Sequence, residues 1–424
     1  MQNANKYGNL KGEKVDHTER RIIEEVDKHK NDFVNFFQKL VQVPSFTGQE
    51  KDVADVLIKG MKKRGFQDIE IVERIPGHPN VLGHIKGVEE GPTYTFNGHM
   101  DLLPPQREDQ WTHPPFSAHI EDGKIYGRGT VDMKAGTFGS FFAGIVINNL
   151  EIPLRGDVLF TGVCDEEICG VNGMTYLIKE GYVKKNHEDD FGMNCEPTDL
   201  TEMNMATKGV FRVDIKVQGK GAFGARPYLG ISAINKAAKL VEAIMKLNDR
   251  IGNDESLKHS LLEPPSVLVT LIKGGEASNL VPDACTLTVT RRMHPSETRE
   301  GCMKDYQNII DQLHSEDPEF KAEVHPWDNF RPPVELPLDL PVVDAYRRAL
   351  KLVTGKDMVL TGSEGGTDAS LVVYHTGIPM PVYGPGDYKL LGMVDEYVEI
   401  EDFINAIKIY ALTIYYTLGI KDEK

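Results

Sequence analysis

A chain of 424 residues can bury a large core and hold two domains. Its 64 acidic residues outnumber the 48 basic ones for a formal charge of -16, which argues against nucleic acid or an anionic membrane as partner. With 40% hydrophobic and 26% charged residues the composition is that of a soluble globular protein, and nothing in its acidity names a substrate.

The opening stretch, MQNANKYGNLKGEKVDHTERR, lacks the apolar core of a secretory signal. The longest apolar run, FGSFFAGIVI (138–147), is too short and glycine-rich to span a bilayer. Helical apolar spacing covers 18–42 and returns over 49–65. Strand-like segments IEIVER, NVLGHIKG and PTYTFNGH follow. A helix after Asp132, strand DVLFTGV, helix VNGMTYLIKEG and strand FGMNCE complete an alternating series. That alternation predicts an α/β domain with a mostly parallel sheet covered by helices on both faces.

The pattern changes near residue 207. Strand KGVFRVDIKVQGK, helix ISAINKAAKLVEAIMKL, strands SVLVTLIKG and CTLTVTRRM, helix SETREGCMKDYQNIIDQL and strand FKAEVHP read as βαββαβ, the ferredoxin-like unit. The proline-rich HPWDNFRPPVELP (325–337) reads as a return linker. The expected organisation is a first catalytic part over 1–207, an inserted lid and dimerisation domain over 208–329, and a second catalytic part over 330–424. The five cysteines are scattered without CxxC spacing, so free thiols in a reducing cytoplasm are expected. Cys164, Cys169 and Cys195 flank acidic residues but lack the spacing of a zinc site.

Asp165, Glu166 and Glu167 stand together where DVLFTGV ends. Adjacent carboxylates about 6 Å apart repel by roughly 3 kcal/mol at an effective dielectric near 20. A solvated turn screens that repulsion; a nearby cation reverses it. Spacing bears on the choice. His99 and Asp101 follow TYTFNG, Asp132 stands at a helix start, and Glu196 follows FGMNC. The steps His99 to Asp132, Asp132 to Glu166 and Glu166 to Glu196 are 33, 34 and 30 residues, each about one βα unit. Residues so placed share one rim of a parallel sheet, where open α/β sheets bind ligands. Taken singly, Asp132 reads as a helix cap and His99 as a core histidine. Together they predict a site for a divalent ion, manganese or zinc.

The motifs GHMD, GRGTVDMK, DEE, NCEPT, NLVP, SEGGTDA and GPG…DEYV occur in this order. With them the chain resembles, over nearly its whole length, the metallopeptidase-like amidohydrolases that include acetylornithine deacetylase, succinyl-diaminopimelate desuccinylase, aminoacylase and carboxypeptidase G. The resemblance implies a metal-bearing catalytic domain and a lid through which subunits dimerise. It implies that His99, Asp132 and Glu196 hold the metal, that Asp101 orients His99, and that Glu166 is the general base. Glu167 would bind a second metal bridged by Asp132. Substrate contacts would come from Asn279, Arg292 and Thr367; Arg226 is a further carboxylate clamp, with a surface salt bridge as the plain alternative for both arginines.

Two positions depart from the family. Gly392, in GPGDYKLLGMVDEY, replaces a histidine that is the last metal ligand, and Phe223, in GKGAFGARPYLG, replaces a lid histidine that donates to an oxyanion. The first departure predicts a single metal per chain, with Asp387, Asp395 or His375 as substitutes to be checked. The second removes a donor worth about 2.7–4 kcal/mol in amide hydrolysis. A deamination in which the ring holds the developing charge avoids that need. Phe223 would then stack on the ring, or simply pack in the lid core. The expected function is hydrolytic deamination of a carboxylated, electron-poor aromatic amine such as 5-nitroanthranilate. Its rivals are an N-acyl amino acid deacylase or peptidase of the same family and a non-catalytic dimeric binding module. A small-molecule substrate and a cytoplasmic homodimer or higher homo-oligomer complete the expectation.

Overall fold

The computed structural model describes residues 15–420, so the polar run over 1–14 lies outside the described residues. Helix α1 (His17–Val41) starts with a capping box, Asp16 accepting the Glu19 amide at 2.8 Å while Glu19 accepts the Asp16 amide at 2.7 Å. It buries Ile22, Val26, Phe33 and Phe37, each contributing about 1.5–3 kcal/mol. Helix α2 (Lys51–Lys63) leads into β1 (Ile69–Glu73), β2 (Pro79–Ile85) and β3 (Glu89–His99). A hairpin of β4 (His119–Glu121) and β5 (Lys124–Tyr126) precedes α3 (Ala135–Asn149), β6 (Arg155–Val163), α4 (Met174–Lys179), β7 (Phe191–Asn194) and β8 (Glu202–Thr207). Next come β9 (Gly209–Gln218), β10 (Ala222–Phe223), α5 (Ala233–Gly252), β11 (Ser266–Gly274), β12 (Leu280–Val281), β13 (Ala284–Met293), α6 (Arg299–Glu316) and β14 (Lys321–Pro326). The chain ends with β15 (Val334–Glu335), α7 (Pro341–Thr354), β16 (Val359–Ser363), α8 (Asp368–Thr376), β17 (Tyr397–Glu399) and α9 (Ile400–Leu418).

These elements form two compact units. The first holds the residues up to 205, 336–361 and those from 367 onward; the second holds 206–335 and 362–366. In the first, the sheet order is β1-β2-β6-β3-β7. Strands β6, β3 and β7 run parallel, and β2 and β1 extend the sheet antiparallel. The short turn over 74–78 allows that, because antiparallel neighbours need no long crossover. Residues 379–383 run along β7, with the Gly192 and Asn194 amides donating to Pro379 and Pro381. Helix α3 is apolar on every side and buried from Ala135 to Ile147, as a helix inside a layered core must be. It packs on α9, and Phe37 stacks on Phe403 with ring centroids 4.3 Å apart.

The second unit has a wholly antiparallel sheet, β11-β13-β9-β14, in the chain order βαββαβ. Phe211, Val213, Ile215 and Val217 alternate inward from β9 onto Leu240, Ile244, Tyr306 and Ile310 of the two helices. Among the described residues no helix is long and apolar enough to cross a membrane.

Candidate metal centre

Strand β3 ends at His99, opposite Val163 at the end of β6, while Asn97 pairs with Asn194 at the end of β7. Residues just beyond these ends therefore share one rim of the sheet. His99, 1% exposed, lies with Nε2 3.1 Å from Asp132 Oδ1 and 3.5 Å from Glu196 Oε1. Its Nδ1 is 2.9 Å from the Asp101 carbonyl and 3.5 Å from the Asp101 carboxylate, so Nε2 is the nitrogen left facing the acids.

Asp132 is not the helix cap its position suggested. Helix α3 starts at Ala135, Lys134 is its N-cap residue, and no side chain caps it. Asp132 has φ -110° and ψ 94°, and its peptide to Met133 is cis. The Val131 and Asp132 amides donate instead to Glu396 Oε1 at 2.8 and 3.3 Å. With those amides satisfied from elsewhere, the Asp132 carboxylate faces His99.

The three consecutive acids divide their work. Asp165, at φ 70°, turns away from the rim and accepts the Asn172 amide and side-chain N–H at 3.0 and 3.1 Å. The next two residues present their amides to Asp101 and their carboxylates to the rim. Oxygens of Glu166 and Glu196 group with a His99 nitrogen within 4.8 Å, and so do oxygens of Glu167 and Asp132.

Electrostatics sharpen the picture. Burial, reinforced by the Asp132 carboxylate, pushes Glu167 up to about 9, and burial pushes Glu196 up to about 7 against the pull of His99. Burial opposes a charge on His99, yet Asp101, Asp132 and Glu196 hold it well above the usual imidazole range. Glu167 Oε1 is buried without a hydrogen-bond partner. Four carboxylates around one imidazole, with an orphaned buried oxygen among them, fit a divalent cation. Among the described residues, none of the groups placed to hold a cation contains a cysteine, Asp387, Asp395 or His375. Asp395 is engaged by the Thr112 amide and hydroxyl, both at 2.7 Å, and Asp387 accepts the Lys389 amide at 2.9 Å. All five cysteines are free thiols.

A model of peptidase family M20/M25/M40 matches residues 95–416. The chain belongs to this family. It is 27% identical over 410 residues to an N-formyl-4-amino-5-aminomethyl-2-methylpyrimidine deformylase of Bacillus subtilis, covering 91% of this chain and 94% of that one. It is also 27% identical over 394 residues to a succinyl-diaminopimelate desuccinylase of Hydrogenovibrio crunogenus, covering 90% and 97%. A dinuclear metal-binding M20 peptidase from Bacillus subtilis has the same fold, at TM-score 0.69 and 18% identity, covering 92% of this chain and 98% of that one. The protein is thus a metal-dependent M20 hydrolase of C–N bonds, with the family's catalytic fold and inserted lid.

The remaining residues singled out from the sequence lie apart from the rim acids in the chain. Gly392, at φ 69°, has open space where a side chain would be, and its carbonyl accepts from Arg128 at 3.0 Å. Phe223, 58% exposed, pairs across to Leu280 in the second unit. Arg226 and Asn279 belong to the same cluster, the Arg226 amide donating to the Phe223 carbonyl and the Gly224 amide to the Asn279 carbonyl. Arg292 lies apart from them, near the end of β13. Thr367, in the first unit, caps α8 by accepting the Ala369 amide.

Sequence reasoning missed Arg128, Glu396 and Thr47. Arg128 and Glu396 form a buried pair at 2.6 Å, and Thr47 donates to Asp101 at 2.8 Å. The only sequence signal for the pair was that each lies in a quoted motif, GRGTVDMK and DEYV.

Proposed function

We propose that this hydrolase uses one divalent cation per chain, manganese or zinc, held by His99, Asp132 and Glu196, to cleave the C–N bond of a small carboxylated molecule. The observation that carries this is the convergence of those three side chains with Glu166 at a single rim. A bound cation supplies Lewis acidity there, easing deprotonation of water and polarising the electrophile. Glu166 takes the proton of the attacking water and returns it to the leaving nitrogen. Asp101 fixes the ring of His99. Glu167 is the ligand a second ion would use, and with Gly392 at the other position it lacks a companion histidine.

Two kinds of C–N bond suit this machinery. The names of the relatives, a deformylase and a desuccinylase, favour an amide, in an N-acyl amino acid or a small peptide. An amide develops an oxyanion, which Phe223 cannot serve, so Arg226 or Asn279 would have to donate to it. The second reading, deamination of a carboxylated electron-poor aromatic amine such as 5-nitroanthranilate, is favoured by the residues of this chain. Phe223, Tyr228 and Leu280 are 58%, 79% and 50% exposed beside Arg226, an apolar and cationic patch that suits an aromatic carboxylate. Ring and substituent would carry the charge, and the leaving group would be ammonia. Arg292 and Thr367 are further substrate contacts on either reading.

The lid presents an edge for self-association. Strand β11 is outermost in its sheet and exposes Leu268, Leu271 and Ile272 at 65%, 50% and 56%. An apolar edge of this kind pairs readily with a second copy, which supports a homodimer. The free thiols support a cytoplasmic location.

The test is turnover by the purified chain with manganese and with zinc. Amine release from N-formyl and N-succinyl amino acids is measured beside ammonia release from a panel of nitro-substituted aminobenzoates. Ammonia from the aromatic panel alone establishes the deaminase, and amine release alone the deacylase. Silence of both panels with both metals overturns both substrate readings.

A further inference from the structure

A second set of side chains able to ligate a metal converges outside the rim acids, sharing no residue with them. His119 and Glu121 lie two apart on β4 and so face the same side of the hairpin. His113 reaches them from the preceding loop. Its ring stacks on that of His119, with centroids 3.9 Å apart and an interplanar angle of 24°. Its Nε2 lies 3.2 Å from Glu121 Oε2. One ligand atom from each of the three lies within 4.8 Å of the other two.

The scaffold under this cluster is fixed. His119 pairs with Tyr126 and Glu121 with Lys124 across a tight Asp122-Gly123 turn, both of whose residues have positive φ. The loop bearing His113 is pinned one residue earlier, where the Thr112 amide and hydroxyl both bond Asp395. Tyr126 packs against the His113 ring at 5.0 Å. Three donors held on such a frame are pre-arranged, which lowers the entropy lost on binding.

We propose that His113, His119 and Glu121 form a second cation site, open to solvent and selective for ions of the zinc class. Two imidazoles and one carboxylate are a borderline donor set, suited to zinc, copper(II) or nickel(II) and poorly suited to magnesium or calcium. His119 and Glu121 are exposed, which leaves coordination positions for water or a further ligand. The imidazoles are adjacent on the surface with a carboxylate beside them, an arrangement that a shared cation holds together.

The experiment is zinc binding to the full chain by equilibrium dialysis and calorimetry, in wild type, His119→Ala and Glu121→Gln. His99→Ala serves as the control that disables the rim site. Wild type and His99→Ala are expected to hold one zinc more per chain than His119→Ala carries in the matching background, and Glu121→Gln to bind that ion about tenfold more weakly or worse. Copper(II) added as a probe should show coupling to two imidazole nitrogens by electron paramagnetic resonance, lost in His119→Ala. The side chains are exposed, and Glu121→Gln preserves shape should His119→Ala fold poorly. Equal zinc stoichiometry and affinity in wild type and both hairpin variants overturns the proposal, as does a copper spectrum that His119→Ala leaves unchanged.

Discussion

The Asp101 carboxylate accepts the backbone N–H of Glu166 at 3.0 Å. Its other oxygen accepts the Glu167 amide at 3.2 Å and the Thr47 hydroxyl at 2.8 Å. One aspartate thereby fixes the imidazole on one side and the acidic turn on the other. His99 hydrogen bonding holds Asp101 below the usual carboxylate range despite its burial, so it remains an acceptor at neutral pH.

Replacing the proposed base separates chemistry from binding. Glu166→Gln keeps the size of the side chain and removes its basicity, so turnover should fall by about 100- to 10,000-fold. Metal content by atomic spectroscopy should stay at the wild-type level. Undiminished rates would exclude Glu166 as the proton acceptor.

Metal stoichiometry tests the ligand set. In His119→Ala, which lacks the proposed hairpin site, one tightly held ion per chain should remain after dialysis, and adding His99→Ala or Glu196→Gln should leave none. Two ions per chain in His119→Ala would refute the one-metal reading of the rim and bring Glu167 into the first rank of ligands.

The acid-base behaviour gives a signed prediction. Without metal, Glu167 and Glu196 keep their protons to about 9 and about 7. In the unfolded chain a glutamate ionises near a pH of about 4.3. Between those limits the folded form binds more protons, so this contribution to stability falls as pH rises through the window. On the one-metal reading, cation binding needs Glu196 ionised and must expel its proton, while Glu167 is not required to ionise. The rise in Tm on adding metal should therefore grow as pH rises towards about 7. Lys134, lowered to about 7 by burial, titrates in both forms and drops out of that difference. A metal-induced shift independent of pH would show that Glu196 gives up no proton to the metal.

Arg128→Met tests the support beneath Asp132. Removing one partner of a buried ion pair costs about 3–5 kcal/mol, because Glu396 is left in the core. Glu396 also holds the Val131 and Asp132 amides, so metal affinity should fall with stability. Thermal melts and metal dialysis together check this, and loss of stability with metal affinity intact would detach the pair from the centre.

Close packing supplies a further variant. A Cβ on Gly136 would lie 1.8 Å from the Cys195 carbonyl oxygen. Backbone must move to admit it, at about 1–3 kcal/mol. The moved backbone adjoins Glu196, so Gly136→Ala should lose metal as well as stability. Wild-type metal content in a destabilised Gly136→Ala would show that Glu196 does not follow its neighbour.

The rim was legible in the sequence because His99, Glu166 and Glu196 each follow an apolar strand, and strand ends of a parallel sheet coincide in space. The lid was legible because its strands and helices alternate periods in one order. Other features were not. Arg128 and Glu396 are 268 residues apart, and nothing local in either segment marks their pairing. Asp132 looked like a cap because residue type and helix start agree; only the partner of its amide shows otherwise. The antiparallel turn of β1 and β2 follows from a connection too short for a crossover, which strand periodicity alone does not register. Tertiary partners, in each case, decided what local pattern left open.

The bare backbone at Gly392 has an engineering consequence. Nothing lies within 4 Å of a side chain added there. Left-handed φ would charge a non-glycine residue about 1–2 kcal/mol, and histidine is among the types that visit that region. Gly392→His is therefore a sterically tolerable graft, at the one position where the family resemblance would expect a further ligand.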